Sequence, residues 1–245
     1  MPKSQIIKDL VEGSVSLEQS LRRLQVLALD IKNKPLADWA EKELVGYEKT
    51  DTLPEYRKSK GGLIKYTGFN GLLNVKNAPF QLEWLSQKTR DQICALSFYE
   101  GISFLCTAVT SSGKMGRDLS FLAAEVGENT DFHINCISIT QVIPESILQK
   151  ICAEITQKML SALVELEKNY GCLDSLGIDV SRKSNKTIAA LNDEINKSVL
   201  NVVISNPNET KEKLPSKIGW NIIVPIITGV AGAIIATILS SIIGI

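Results

Sequence analysis

His133 is the only histidine in the 245-residue chain, and histidine is the side chain that most often carries protons near neutral pH. A serine or cysteine triad would need it as base, yet nothing around it resembles a nucleophile elbow. Five cysteines, Cys94, Cys106, Cys136, Cys152 and Cys172, are scattered without a CxxC pair, so no zinc or iron site of ordinary spacing can be assembled. An odd, irregular set reads as reduced, buried thiols and places the domain in the cytosol. The run Ser111, Ser112, Gly113, Lys114 has the ending of a phosphate loop. It fails as one, because Ala108 stands where the first glycine is required and Met115 where Ser or Thr should bind magnesium. Asp38, Glu41, Glu43 and Glu48 read as solvated charges on a short helix rather than as a metal cluster. No catalytic residue, metal site or cofactor is assigned, and the chain is not expected to be an enzyme.

Binding chemistry is better represented. The formal net charge is zero, which gives no global pull toward nucleic acid or anionic membrane, but residues 57–117 carry nine basic side chains against three acidic ones. These are Arg57, Lys58, Lys60, Lys65, Lys76, Lys88, Arg90, Lys114 and Arg117, with Tyr56, Tyr66, Phe69 and Trp84 interleaved. Cations beside stacking aromatics are the ingredients of a nucleotide or single-strand groove, and the binding candidates are Arg57, Lys58, Lys60, Lys65, Lys76, Lys88, Arg90, Tyr56, Tyr66 and Phe69. Residues 119–179 reverse the balance, with nine acidic and three basic. Two other readings stay open: the two segments pack together or face solvent, or the basic one adheres to anionic lipid headgroups.

The extreme C-terminal segment points to lipid. No residue from Ile218 to Ile245 is charged, and twelve of the twenty-two between Ile222 and Ile243 are Ile, Leu or Val. As a helix rising about 1.5 Å per residue, the run exceeds a hydrocarbon core of roughly 30 Å. Lys211, Lys213 and Lys217 precede it, so the positive-inside rule keeps the preceding domain cytoplasmic, and the chain is expected to end at or just beyond the far membrane face. Advanced by about 100° per residue, Gly229, Gly232, Ala233, Ala236, Thr237, Ser240 and Gly244 share one side, opposite Ile227, Val230, Ile234, Ile235, Ile238 and Ile242. Gly232, Ala236, Ser240 and Gly244 form an unbroken ladder of small residues, which lets helix backbones approach closely in lipid. Self-association is the expectation, with Pro225 in the first turn or at a kink.

The elements that must position these residues are mainly helical. Ser16 with Gln19 reads as a capping box opening a helix of Leu17, Leu21, Leu24, Leu27, Ala28 and Ile31 to about Asn33. Pro35 starts a second helix, which Gly46 ends, making an αα-hairpin. Gly61 to Pro79 reads as loops with short extended pieces, and Phe80 to Cys106 as apolar at helical spacing. The alternation from His133 to Ile139 suggests one strand, Pro144 opens a long helix to about Lys168, and Thr187–Ile204 is amphipathic. A polar linker follows from Ser205 to Lys217. The expected fold is mainly α with minor β, divided as a domain over 1–172, an amphipathic helix and linker over 173–217 and a membrane helix over 218–245.

The pattern W-x-x-x-E-L-x-G-Y, formed by Trp39, Glu43, Leu44, Gly46 and Tyr47, is followed by L-P-x-Y-R at Leu53, Pro54, Tyr56 and Arg57. Together with Leu21, Leu24 and Ala28 it resembles the AbiTii domain of bacterial abortive-infection proteins. The helix Ile147–Glu167 is similar to that domain's closing helix, so the resemblance covers residues 1–170. It implies an antiphage role, and fusion to a membrane segment looks like an effector that damages the host inner membrane. The architecture is also similar to the channel effector of the Hailong defence system, which a DNA oligomer from a partner nucleotidyltransferase holds closed. By that resemblance the chain is expected to be a homo-oligomeric, ligand-gated pore. The competing reading is a tail-anchored adaptor or scaffold that conducts nothing, and a third is a nuclease or other enzyme.

Overall fold

The computed structural model of the chain describes residues 3–110, 115–175 and 177–200. They fall into two units. One takes the chain up to Tyr56, then Tyr99–Thr107 and the residues from Lys150 onward; the other takes Arg57–Phe98 and Ala108–Gln149.

The first unit is helical. Ile6, Ile7 and Leu10 are buried on α1 (Gln5–Glu12), an element the charged N-terminal sequence did not signal. Ser16 accepts from the Gln19 N–H and opens α2 (Leu17–Asp30). Asn33 does the same for the Leu36 N–H at the start of α3 (Lys34–Val45), where Pro35 sits in the first turn and lacks only a donor that would have no helical partner. α2 packs on α3 and buries Leu21, Leu24, Leu27, Leu36 and Ala40. Gly46 ends α3 at φ 109°, where a Cβ would lie 2.7 Å from the Tyr99 carbonyl oxygen, so only glycine fits. Two helices cross between the units: α5 (Ile102–Thr110) leaves this one after Thr107, and α7 (Glu145–Tyr170) enters it at Lys150. α8 (Asn185–Leu200) is built into the same unit. Its Ile195 and Val199 are buried, its Asn192 amide donates to the Ile31 carbonyl at 2.9 Å, and Lys158 donates to the Val199 carbonyl.

The second unit is a small α+β body. β1 (Lys58–Lys60) pairs antiparallel with β4 (Ala95–Ser97), and a separate antiparallel sheet has the order β3-β2-β6-β5, with β2 (Leu63–Asn70), β3 (Leu73–Pro79), β5 (Gly116–Asp118) and β6 (Ile134–Val142). One sheet face carries Ile64, Tyr66, Ile134, Cys136 and Ile139 into a core closed by Leu85, Ile93, Leu119, Leu122 and Val126. Ile93 comes from α4 (Gln87–Cys94) and Val126 from α6 (Ala123–Asn129).

Mainly α with minor β holds for the described residues, but two local expectations do not. Gly61–Pro79 is a β-hairpin rather than loops: Gly71 supplies the turn at φ 57°, and a register shift between Thr67 and Gly68 absorbs an irregularity against β6. Phe80–Cys106 is not one helical stretch. A 3-10 turn at Leu82–Trp84, α4, β4 and α5 divide it, because α4 itself buries only Ile93 while the flanking apolar residues serve other contacts. No helix among the described residues is long and apolar enough to cross a membrane. The helix expected at Ile218–Ile245 and the Ser111–Lys114 run lie outside those residues.

The start of the chain is fastened by one carboxylate. Glu167 on α7 accepts from the Lys3 ammonium, the Ser4 N–H and the Ser4 hydroxyl, each at 2.6 Å. The Lys3 bond first, then those from Ser4, hold its carboxyl down to about 2 from 4.5 against the cost of desolvation. A depressed folded-state pKa means stability that is present above the unfolded value and lost as pH falls through the folded one. Thermal unfolding of the wild type should therefore show stability declining between pH 4.5 and about 2. Glu167→Gln should unfold at lower temperature above that window and respond less to pH within it.

Candidate functional site

The family-like motif is a hydrogen-bond network in the helical unit. Glu43, on the inner face of α3, is fully buried, and its carboxylate accepts from the hydroxyls of Tyr47 and Tyr56, both at 2.6 Å. Trp39, one helical turn before Glu43, donates its indole N–H to the Tyr56 oxygen at 2.9 Å. The Lys158 ammonium lies 5.6 Å from the centre of the Tyr56 ring, inside the range of a cation–π contact. Burial, followed by the charge of Glu43, raises the Tyr56 phenol well above its ordinary pKa, so it stays a donor. Glu43 is thus a core acceptor and not a solvated surface charge as its sequence context suggests. Four motif residues are consumed in positioning one another, and the resulting site is structural.

The basic segment, which lies in the α+β unit, is divided by the fold. Arg57 is fully buried and donates to the Phe98 carbonyl at 3.1 Å. A guanidinium leaves water only when its N–H groups find acceptors, and this one is withdrawn from any surface site. Tyr66 is also withdrawn: it is buried and meets Trp84 edge-on at 5.3 Å, with Phe80 completing an aromatic trio. Tyr56 belongs to the Glu43 network. Arg90 is half-buried and closes on the Leu85 carbonyl through its Nε at 2.9 Å.

The remaining candidates reach the surface. Lys58 and Lys60 are two apart on β1, so they share a side, and both are exposed. Lys65, Thr67 and Phe69 line the face of β2 opposite the core, where Phe69 is 39 % exposed. Lys76 on β3 and Lys88 on α4 are exposed as well. The fold therefore places one cation, one hydroxyl and one aromatic ring on a single sheet face, flanked along the chain by further lysines. The packing candidates Gly229, Gly232, Ala233, Ala236, Ser240 and Gly244 lie outside the described residues.

A cavity of about 250 Å³, bounded by Thr89, Ile93, Arg117, Phe121, Leu122 and Glu125, had no signal in the residue pattern. Arg117 does not present a bare charge to it, since it donates to the Gln141 side chain at 2.8 Å and to the Ile93 carbonyl. Gln141, buried on β6, in turn donates to the carbonyls of Gly61 and Ile93. Glu125 accepts from the Ser86 N–H and the Thr89 hydroxyl; burial opposes its ionisation, and these bonds nevertheless hold its carboxyl below the usual value. The charged walls are thus engaged with the scaffold. Among the described residues no three His, Cys, Asp or Glu side chains gather as a metal site.

The chain matches the AbiTii family model over residues 4–192 and belongs to that family, as an AbiTii-domain abortive-infection protein. No curated protein and no solved structure matches it. The match ends at residue 192, within α8, a helix that is built into the helical unit.

Tyr56→Phe tests the network. It would leave the Trp39 indole without its acceptor and Glu43 short of a donor, and the expected loss is about 1–3 kcal/mol of unfolding free energy by denaturant titration. Lys60→Ala, at an exposed position of β1, should stay within about 0.5 kcal/mol of wild type.

Proposed function

We propose that this protein is an antiphage effector that acts at the bacterial inner membrane without catalysis. Its C-terminal segment inserts as a helix, self-associates and conducts ions, while the cytoplasmic domain gates the assembly by binding an anionic nucleotide or oligonucleotide supplied by a partner nucleotidyltransferase. The observation that carries the reading is the uncharged run from Ile218 to Ile245 joined to a domain of an abortive-infection family. Exposed Lys58, Lys60, Lys76 and Lys88, with Lys65 and Phe69 on one sheet face, support the ligand part, since phosphates are bound through cations and bases through stacking. A tail-anchored adaptor is the second reading. It is favoured by apolar side chains that the α+β unit leaves exposed, Leu72, Leu73, Phe132 and Ile137 among them.

Induction of the full chain alone, without the partner enzyme, should depolarise cells before lysis; intact potential during growth arrest would instead select the adaptor. Within the membrane segment, Gly232→Ile or Ala236→Ile should weaken self-association and toxicity, whereas Ile234→Leu on the opposite face should be nearly silent. Equal effects from all three would show that the wrong face was assigned.

Ligand binding has its own signature. If about four phosphates of a single strand are contacted, log affinity should fall against log salt with a slope of roughly −3. Reversing the charge at Lys58, Lys60 and Lys65 should weaken binding and, for an inhibitory ligand, raise toxicity. A folded triple variant with full affinity would remove these lysines from the mechanism.

A further inference from the structure

Cys106 on α5 and Cys152 on α7 are 46 residues apart in sequence, yet their Sγ atoms lie 3.9 Å from each other inside the helical unit. Neither is in a disulfide, and both are half-buried. Disulfide formation brings the sulfurs to about 2.05 Å, so the two Sγ atoms must approach by roughly 2 Å.

The neighbours of the pair separate it from the other thiols. The hydrogen bond with Cys152 brings the Cys106 thiol down from 9.0 to about 7, against both burial and the nearby Glu18 carboxylate. Burial alone pushes Cys136 up to about 11. Near neutral pH a large share of Cys106 is therefore thiolate, the nucleophilic form, while Cys136 remains a thiol.

We propose that Cys106 and Cys152 are a dithiol site that hydroperoxides oxidise to an intramolecular disulfide. The Cys106 thiolate attacks the distal peroxide oxygen, the O–O bond breaks, and the leaving alkoxide or hydroxide takes up a proton as alcohol or water. Cys106 is then a sulfenic acid, oxidised by two electrons. The Cys152 sulfur attacks it; the S–S bond forms, the S–O bond breaks, and the sulfenic oxygen leaves as water with the Cys152 proton. In sum two thiols and one hydroperoxide give a disulfide, an alcohol and water. Cys106 stands two residues before α5 leaves the helical unit, and Cys152 two residues after α7 is counted in it. The bond ties two of the places where the chain passes between units. The inference does not depend on the pore reading.

Full-length, reduced protein is treated with limiting hydrogen peroxide at pH 7, alkylated under denaturing conditions and digested. The expected product is a peptide pair linking Cys106 to Cys152, restored to two thiols by dithiothreitol, with Cys106 reacting at least about tenfold faster than Cys136. In Cys152→Ala, which removes the donor as well as the second sulfur, dimedone should label Cys106 as the sulfenic acid, and the pH midpoint for Cys106 alkylation should rise from about 7 toward 9.0. Oxidation confined to Cys172 or Cys94, or a disulfide joining either of them to Cys106, would overturn the proposal. So would an unmoved midpoint in the folded variant. The wild-type peptide map needs no substitution and decides alone if Cys152→Ala does not fold.

Discussion

A carboxylate removed from water must be met by donors, and Glu43 is the residue on which the helical unit turns. An unpaired buried acceptor of this kind is expensive, and a charged one more so. The expense is offset by the Tyr47 and Tyr56 hydroxyls, one from just past the end of α3 and one from the loop that follows. Because Tyr56 also receives the Trp39 indole, the helix, its exit and the following loop are locked by one set of bonds. The glycine between them obeys a steric version of the same constraint: Gly46 must carry no side chain, because the chain turns directly against the Tyr99 carbonyl.

The α+β unit answers an equivalent demand with different chemistry. Arg57 and Gln141 are both fully buried, and each donates to main-chain carbonyls: Phe98 for the first, Gly61 and Ile93 for the second. Polar side chains used this way pin strand ends and loops that the short ladders β1–β4 and β5–β6 could not hold alone. Two cations that look available in the sequence, Arg57 and Arg117, are thereby converted from binding groups into fasteners. What is left for a partner is the lysine set on strands whose inner faces are already committed to the core.

Buried polar order and chemical reactivity meet again at the thiols. Burial in the sheet core pushes the Cys136 thiol up, whereas a hydrogen bond with a sulfur from another helix holds the Cys106 thiol down. The contrast shows why cysteine content says little by itself: the same side chain is a small hydrophobe in one setting and a nucleophile in the other.

The sequence by itself determined what depends on near neighbours in the chain. Ser16, Asn33, Pro35 and Gly46 set the ends of α2 and α3 through bonds three residues long or through fixed backbone angles, and β6 and α7 were legible from alternation and from Pro144. The family motif was visible too, as was the uncharged run toward the C-terminus. Tertiary structure decided everything that depends on partners far along the chain. The glycine-rich stretch from 61 to 79 read as loops with short extended pieces, yet β2 pairs over its length with β6, some seventy residues away, and that pairing with a local bulge draws Gly68 into a strand and leaves Gly71 to the turn. Glu43 looked like a surface charge until Tyr56 reached it, Arg57 like a ligand cation until the Phe98 carbonyl did, and no spacing could have joined Cys106 to Cys152. Burial is a property of the assembled core, and a side chain's charge, donor capacity or reactivity has no fixed meaning until that core has formed.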